Sequence, residues 1–499
     1  MLKLMYNIFR LLFIAFKILV IVSQEFAVLY GCKCISYINK IYNVNNNNNN
    51  NNNSYSICIH NIATKLANIN ILYVKLFQAF ALNHQWLDEA TNQQLLKFTD
   101  NAPWTFSDID LTSLVAMADK HGIDLRHNYE VPINSGMISL VFKGYIKNTN
   151  KSVAIKMKRV NIEALLDDAL EQIKTCMYLC SYFSFVKQYQ LENILYKNME
   201  LIKNQTHFNK EVENIRIMKN NCSQLKYVKI PYVYSNITDE YPNIIVMEFI
   251  DGLKINEIKK EDSEPFAKLV IKFGLVSTVI HGIVHGDLHA GNILFIKNNT
   301  NTNTNAPLYQ IGILDFGIMF PIEMECKDFL FKLFSCMFEQ TPRNTAIFLL
   351  NSSFFEPPGI MQQLPREEYD KIVSICEEII ETTLFQSKKA NQIQIYRFLY
   401  KIKEYFANAS SPVANASSPV ANASSHVANA SSHVANASSP VANANASSHN
   451  KIRLSDQFVK LQLILAMAHG VTLTLCSDNF IPIMDQVFNE LFHVHLLMD

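Results

Sequence analysis

Apolar positions along this chain follow two rhythms, and their order predicts its architecture. Residues 62–98 carry apolar side chains three and four apart, the spacing of an amphipathic helix, and further helical stretches fall at about 161–181, 186–202, 207–219 and 266–281. Residues 139–146 and 152–157 are rich in β-branched and aromatic types and flank the turn-like segment 147–151, which predicts a hairpin. The continuous run NIIVMEF at 243–249 predicts a buried strand, and 292–295 and 310–314 predict two shorter ones. From Cys326 onward apolar helices dominate. Strands first and helices later predict an α+β chain, with a small β-containing lobe followed by a large helical one.

Three segments interrupt the pattern. Residues 45–53 are an unbroken asparagine run, expected to be a flexible spacer. Residues 298–307 (NNTNTNTNAP) read as a loop between two strands. Residues 407–450 repeat ANASSPV and ANASSHV with a period of seven, but a coiled-coil seam needs large apolar residues where these units offer only valine and small ones. Pro412, Pro419 and Pro440 would also break a helix, so a disordered insertion is expected. At the other end, residues 11–22 are apolar except for Lys17 and follow Lys3 and Arg10. That stretch is short for a span, carries a charge near its centre, and lacks a small-residue cleavage site. A helix lying on a membrane or packed on the protein suits it at least as well.

Composition narrows the classes. Half of the 499 residues are hydrophobic, and 44 basic residues balance 44 acidic ones. A basic excess would mark a nucleic-acid partner, and there is none. The ten cysteines form no CxxC pair, which argues against a zinc site or a disulfide framework and for reduced, buried thiols.

The chemistry concentrates in His285-Gly-Asp-Leu-His-Ala-Gly-Asn292 and Leu314-Asp-Phe-Gly317. Phosphoryl transfer from ATP needs a carboxylate near the attacking oxygen and oxygen ligands for Mg²⁺ beside the phosphates. Asp287 with Asn292 five residues later supplies both from one loop, and Asp315, entering after a short strand, adds a metal ligand from the other side. The Asn/Thr insert accounts for the long gap between them. As isolated tripeptides HGD and DFG would mean little; their order and strand context make chance a poor account.

Upstream, Val153-Ala-Ile-Lys156 resembles the kinase third-strand lysine that pairs with ATP phosphates and a helix glutamate. Alone it would be an edge-strand charge; with the downstream motifs the phosphate role is favoured. Glu211 is the expected partner, with Glu213 pointing elsewhere on the same helix. Met247-Glu248-Phe249-Ile250 resembles the hinge whose backbone holds the adenine. The nucleotide loop would be Asn134-Ser135-Gly136-Met137, where a single glycine replaces the usual glycine-rich pattern.

Together these residues resemble the UbiB family of atypical kinases, linked to ubiquinone biosynthesis, over roughly residues 60–480 apart from the inserts. The most specific parts are the HGDLHAGN loop, with its second histidine, and Lys75-Leu-Phe-Gln78, which is similar to the family's KxGQ. The resemblance implies a bilobal protein-kinase-like fold with a helical extension bearing Lys75 and Gln78 over the active site. The implied organisation is an apolar helix at 1–40, an Asn-rich linker at 41–60, the extension at 61–125, a small lobe at 126–250 and a large lobe at 251–499. It further implies ATP and Mg²⁺ as cofactors, no nucleic acid, a membrane lipid or quinone-like partner, and an intracellular, membrane-associated location.

Three departures stand out: Phe77 replaces the glycine of KxGQ, Gln205-Thr-His207 replaces a carboxylate-bearing ExD, and Asn134-Ser-Gly-Met replaces an alanine-rich loop. Gln205 cannot pair with Lys75 as a carboxylate would, and Gly136 predicts a more mobile loop. The rival readings are a small-molecule phosphotransferase of the aminoglycoside or choline kinase type, which lacks such an extension, and a non-catalytic, nucleotide-gated lipid-binding protein.

Overall fold

The computed structural model describes residues 2–41, 51–72, 102–126, 130–180, 202–298, 306–324, 327–328, 330, 341–385, 401–402, 405, 453–455, 471–472, 474–476 and 479–496. Lys75, Phe77, Gln78, the predicted helix at 186–202 except its last residue, and the repeat at 407–450 lie outside them. The described chain divides into two units, residues 1–327 with 466–499 and residues 328–465.

The first unit opens with two helices, α1 (Leu2–Ile41) and α2 (Asn51–Ile69). α2 starts inside the asparagine run that was expected to be a spacer. Asparagine is a weak helix former, but Cys58, Ala63 and Ala67 are buried, and burial of an apolar stripe outweighs local propensity. After α3 (Leu111–Lys120) comes an antiparallel sheet of β1 (Ile123–Asp124), β2 (Asn134–Ser135), β3 (Ser139–Ile146), β4 (Ser152–Lys158) and β6 (Ile244–Glu248), ordered β1-β3-β4-β6 with β2 on β3. The expected hairpin is β3–β4, with Val141 opposite Lys156 and Phe142 opposite Ile155.

Strand alternation gives this sheet two different faces. Leu140, Phe142, Val153, Ile155, Met157, Ile244 and Val246 pack with Leu114 and Met117 of α3. The other face carries Ala154, Ile245 and Met247 into a second core, and Lys156 shares it. That second core is completed by α5 and α7, which follow α4 (Ile162–Cys180): α5 is Phe208–Asn221 and α7 is Lys260–Leu275. Between them lie β5 (Val228–Lys229) and the short α6 (Ser235–Glu240). α7 starts earlier than its apolar pattern predicted, with Pro265 in its second turn.

Four short strands finish the unit: β7 (Ile283–His285), β8 (Ile293–Lys297), β9 (Tyr309–Ile313) and β10 (Met319–Pro321). β8 and β9 are antiparallel strands on either side of residues 298–307, and β5 joins β9 in parallel. β10 returns to pair with β7. In the second unit, α8 (Pro342–Leu350) packs on α9 (Arg366–Ile380), and β11 (Phe355–Glu356) pairs with β12 (Arg453–Leu454). The last helix, α10 (Phe480–Leu496), belongs to the first unit and rests on α7, where Lys268 Nζ donates to Glu490.

Phe142 has no exposed surface and sits in the middle of the sheet–α3 core. Replacing it with alanine leaves a cavity and should cost about 3–5 kcal/mol. Chemical denaturation of the Phe142→Ala variant checks this; a loss below about 1 kcal/mol would mean that the core collapses around the gap.

Candidate active site

The site assembles because two strand pairs clamp its loops from both sides. Residues 286–292 run from β7 to β8, and residues 314–318 run from β9 to β10. Ile293 opposes Ile313 in one ladder, and His285 opposes Met319 in the other. Leu314 N donates to Asn292 O at 3.0 Å, and Gly286 N donates to Ile318 O at 2.8 Å. Asp287, Asn292 and Asp315 thus each lie within a few residues of a fixed register.

The glycine of HGD has a steric cause. A Cβ at Gly286 would come within 2.3 Å of Ile318 Cγ2 and 2.7 Å of Phe320 Cε1. Only glycine lets the two loops approach this closely.

Lys156 is the centre of charge. Its Nζ donates to Glu211 Oε1 at 2.6 Å and to Asp315 Oδ2 at 2.8 Å. Glu211 is 1% exposed and lies on the buried stripe of α5 with Phe208, Val212, Ile215 and Met218. A carboxylate at a core position of an amphipathic helix is itself a functional signal. Glu213 faces out and pairs with Arg216. The two carboxylates hold Lys156 well above the ordinary lysine range despite burial. Burial, with Asp315 close by, pushes Glu211 up to about 7 against the pull of Lys156. Asp315 moves the opposite way, because Lys156 and the Gly317 amide stabilise its charge against the effect of burial.

α5 also fixes the loop after Asp315. Asn214 Nδ2 donates to Phe316 O at 2.8 Å, while Gly317 N donates to Asp315 Oδ1 at 2.9 Å. In the facing loop Asn292 Nδ2 donates to Asp287 O at 2.8 Å and lies 3.2 Å from His289 Nε2. Asn292 and Asp315 offer only oxygen, which suits Mg²⁺ when phosphate oxygens and water complete the shell. Among the described residues no cluster of three His, Cys, Asp or Glu side chains could hold a metal by itself. The donor set therefore fits Mg²⁺ shared with a phosphate ligand.

The remaining predicted residues fall into place unevenly. Gln205 is buried, and its Nε2 lies 3.5 Å from Asp287 Oδ2, while its Cγ would touch a Cβ built on Gly317. The hinge residues 247–250 end β6, but Glu248 N donates to Tyr232 O and Phe249 N to Ser152 O. Two of its amides are thus already engaged. In the loop 134–137, Asn134 and Ser135 form β2, and Met137 is buried with Ile138, Ala63, Ala67 and Ile71 beneath α2. A cavity of about 220 Å³ lies beyond Gly317, lined by Asn204, Lys210, Glu213, Asn214, Ile318 and Met319. It is smaller than the roughly 300–1,000 Å³ of ordinary ligand pockets.

Two residues escaped the sequence reading. Arg159, 5% exposed, donates to Gly136 O from Nε at 3.0 Å and Nη2 at 2.9 Å, to Ser135 Oγ at 2.8 Å and to Asp108 Oδ2 at 2.8 Å. It staples the loop that Gly136 was expected to free. The second is His285, whose Nδ1 accepts from Asp287 N at 3.3 Å while Nε2 contacts Asp315 O. One neutral imidazole thereby ties both aspartate backbones together. Nothing in the sequence flagged Arg159, whereas the histidine was visible as the first letter of its motif.

The geometry defines the class: a kinase-like domain, with a strand lysine held by a helix glutamate and a second aspartate beside an Asp/Asn loop. The family profile of the ABC1 atypical kinase-like domain matches residues 119–346. A chloroplastic protein of Arabidopsis thaliana, Activity of BC1 Complex Kinase 8, is 24% identical over 350 residues, covering 62% of this chain and 42% of that one. A probable protein kinase UbiB of Shewanella halifaxensis is 24% identical over 293 residues, covering 57% and 52%. The chain thus spans about half the length of these relatives. The erythromycin complex of a Mycobacterium tuberculosis protein aligns over 85% of this chain and 94% of that one at 14% identity, with a TM-score of 0.43, so no geometry is carried over from it. These matches support a UbiB-type atypical kinase family for residues 119–346, with an α+β, kinase-like fold and an N-terminal helix.

His285 yields a pH prediction. Burial lowers its pKa below the ordinary value, so the unfolded chain takes up this proton first as the pH falls. Its contribution to stability is complete above about pH 6.5 and is lost as the pH drops below that value. Melting temperatures of the wild type should therefore fall more steeply from neutral to mildly acidic buffer than those of His285→Gln. Parallel curves would show that His285 is not held neutral.

Proposed function

We propose that this chain binds ATP with Mg²⁺ and transfers the γ-phosphoryl group to an acceptor or to water, at a membrane and in a lipid- or quinone-linked process. One observation carries the reading: a buried lysine braced between Glu211 and Asp315, with Asp287 and Asn292 locked to the same backbone frame. Lys156 contacts the phosphates while Glu211 holds its ammonium in place. Asp287 orients the attacking hydroxyl or water and takes its proton. Asn292 and Asp315 hold Mg²⁺, which neutralises charge on the phosphate oxygens when bound. The backbone of 247–250 receives the adenine, and residues 134–137 cover the phosphates, pinned by Arg159. The kinase-like domain and the kinase-named relatives support phosphoryl transfer, and the apolar helix α1 supports a membrane location.

Replacing Asp315 by asparagine removes one charge from the metal shell and should weaken Mg-ATP binding by more than about tenfold in calorimetric titration. Unchanged affinity would overturn the assignment of the site.

Gln205→Glu tests the other side of the cleft. A carboxylate there would stand beside Asp287 Oδ2, where the amide now sits at 3.5 Å. Like charges this close raise each other's pKa. Turnover should fall, and its acid limb should move to higher pH, while the melting temperature changes little. Equal turnover with an unshifted profile would mean that Gln205 does not sense Asp287.

A further inference from the structure

α1 has two unlike sides. On its inner side the Arg10 guanidinium grips the Asp168 carboxylate of α4, with Nη2 2.6 Å from Oδ2, and Gln172 Nε2 donates to the same oxygen at 2.8 Å. Fifteen positions later Glu25 accepts from Lys65 Nζ at 2.6 Å and from Asn61 Nδ2 at 3.2 Å, both on α2, and Leu29 is buried. On the far side, Phe9, Leu12, Phe13, Phe16 and Leu19 are 59–67% exposed, continued by Met5. At about 100° per residue these positions form one stripe turned away from Arg10 and Glu25. Five such side chains leave on the order of 500 Å² of apolar surface bare, near the upper end of what soluble monomers tolerate.

Charge identifies what covers the stripe. Residues 2–24 contain Lys3, Arg10 and Lys17 and no Asp or Glu. Lys17 leans along the stripe with Nζ 4.6 Å from the Phe13 ring centroid, an apolar stem with its ammonium at the margin. An aromatic-rich apolar face edged by cations matches the boundary between acyl chains and anionic headgroups.

By length and composition Met5–Gly31 could also cross a bilayer. Its roughly 40 Å would exceed the ~30 Å hydrocarbon core. The two polar ties, about 22 Å apart along the axis, oppose that. Crossing would either drag Asp168, Lys65 and Asn61 into hydrocarbon or strip Arg10 and Glu25 of their partners there. Lying flat keeps every pair and still buries the stripe.

We infer that α1 docks in the plane of an anionic lipid surface through Phe9, Leu12, Phe13, Phe16 and Leu19, and does not cross it. This rests on the reading that the chain works at a membrane and is independent of the nucleotide site.

The test uses the full chain in flotation with vesicles of phosphatidylcholine alone or mixed with phosphatidylglycerol. The wild type should float with the mixed vesicles, less with the neutral ones, and be released by alkaline carbonate. The Phe9→Ser, Phe13→Ser, Phe16→Ser triple variant should lose at least about tenfold in vesicle affinity. It should keep its melting temperature and Mg-ATP affinity, because these rings face solvent. Flotation that resists carbonate and shields α1 from protease would overturn the in-plane mode and leave the membrane reading standing. Absence of flotation with both vesicles would overturn both. A dimer in vesicle-free solution that the triple variant abolishes would overturn lipid in favour of a second copy of this chain.

Discussion

The candidate site depends on one buried ammonium. Lys156 enters from the sheet, Glu211 from α5 and Asp315 from the loop after β9, and the three meet within 2.8 Å. Two carboxylates and one ammonium leave the cluster one negative charge in excess, inside a core where such charge is expensive. Burial, with Asp315 close by, raises Glu211, and Glu211 Oε2 is buried without a hydrogen-bond partner. The Lys156–Asp315 pair thus ties the sheet to the loop after β9, and Glu211 ties both to α5.

The second constraint is geometric and operates through backbone. His285 bonds to both aspartate segments, and Gly286 allows the β10 strand to lie against the loop without a clash. Because the ladders β7–β10 and β8–β9 flank these residues, a shift at Asp287 would have to break pairing at Gly286 or at Ile293. Precision at the site therefore comes from short strands placed immediately beside it, with side chains needed only for the last ångström.

How much of this could be read from the chain follows from range. HGDLHAGN, DFG and VAIK are local patterns whose residues lie within a few positions of the strands that carry them, so their elements and mutual arrangement were legible. Glu211 was separable from Glu213 because helical period assigns faces. Contacts made across long separations were not. Arg159 reaches Asp108, Arg10 reaches Asp168, and Ser135 bonds to Ala102, and no local rhythm announces any of them. The start of α2 at Asn51 was missed for the same reason, since its helicity rests on packing against residues beyond position 100. The engaged hinge amides of Glu248 and Phe249 likewise depend on Tyr232 and Ser152, which sequence spacing cannot align.

The loop at 134–137 shows why a residue's intrinsic freedom is a poor guide to its behaviour in a fold. Glycine at 136 suggested mobility, yet its backbone does not adopt a positive φ, and a Cβ there would rest 3.5 Å from Ser139 O in ordinary contact. Alanine would fit. What sets the loop's stiffness is the set of bonds that converge on it: two from Arg159 to Gly136 O, one from Gly136 N to Ser139 O, and the Ser135–Ala102 pair. Met137 and Ile138 then anchor it beneath α2, whose own position is tied to α1 by Glu25. The glycine's conformational entropy is a property of the unfolded chain and is removed on folding whatever stands at 136. Stiffness of the 134–137 loop is therefore governed by a buried guanidinium and a helix more than sixty residues upstream, and the loop sequence itself has little say.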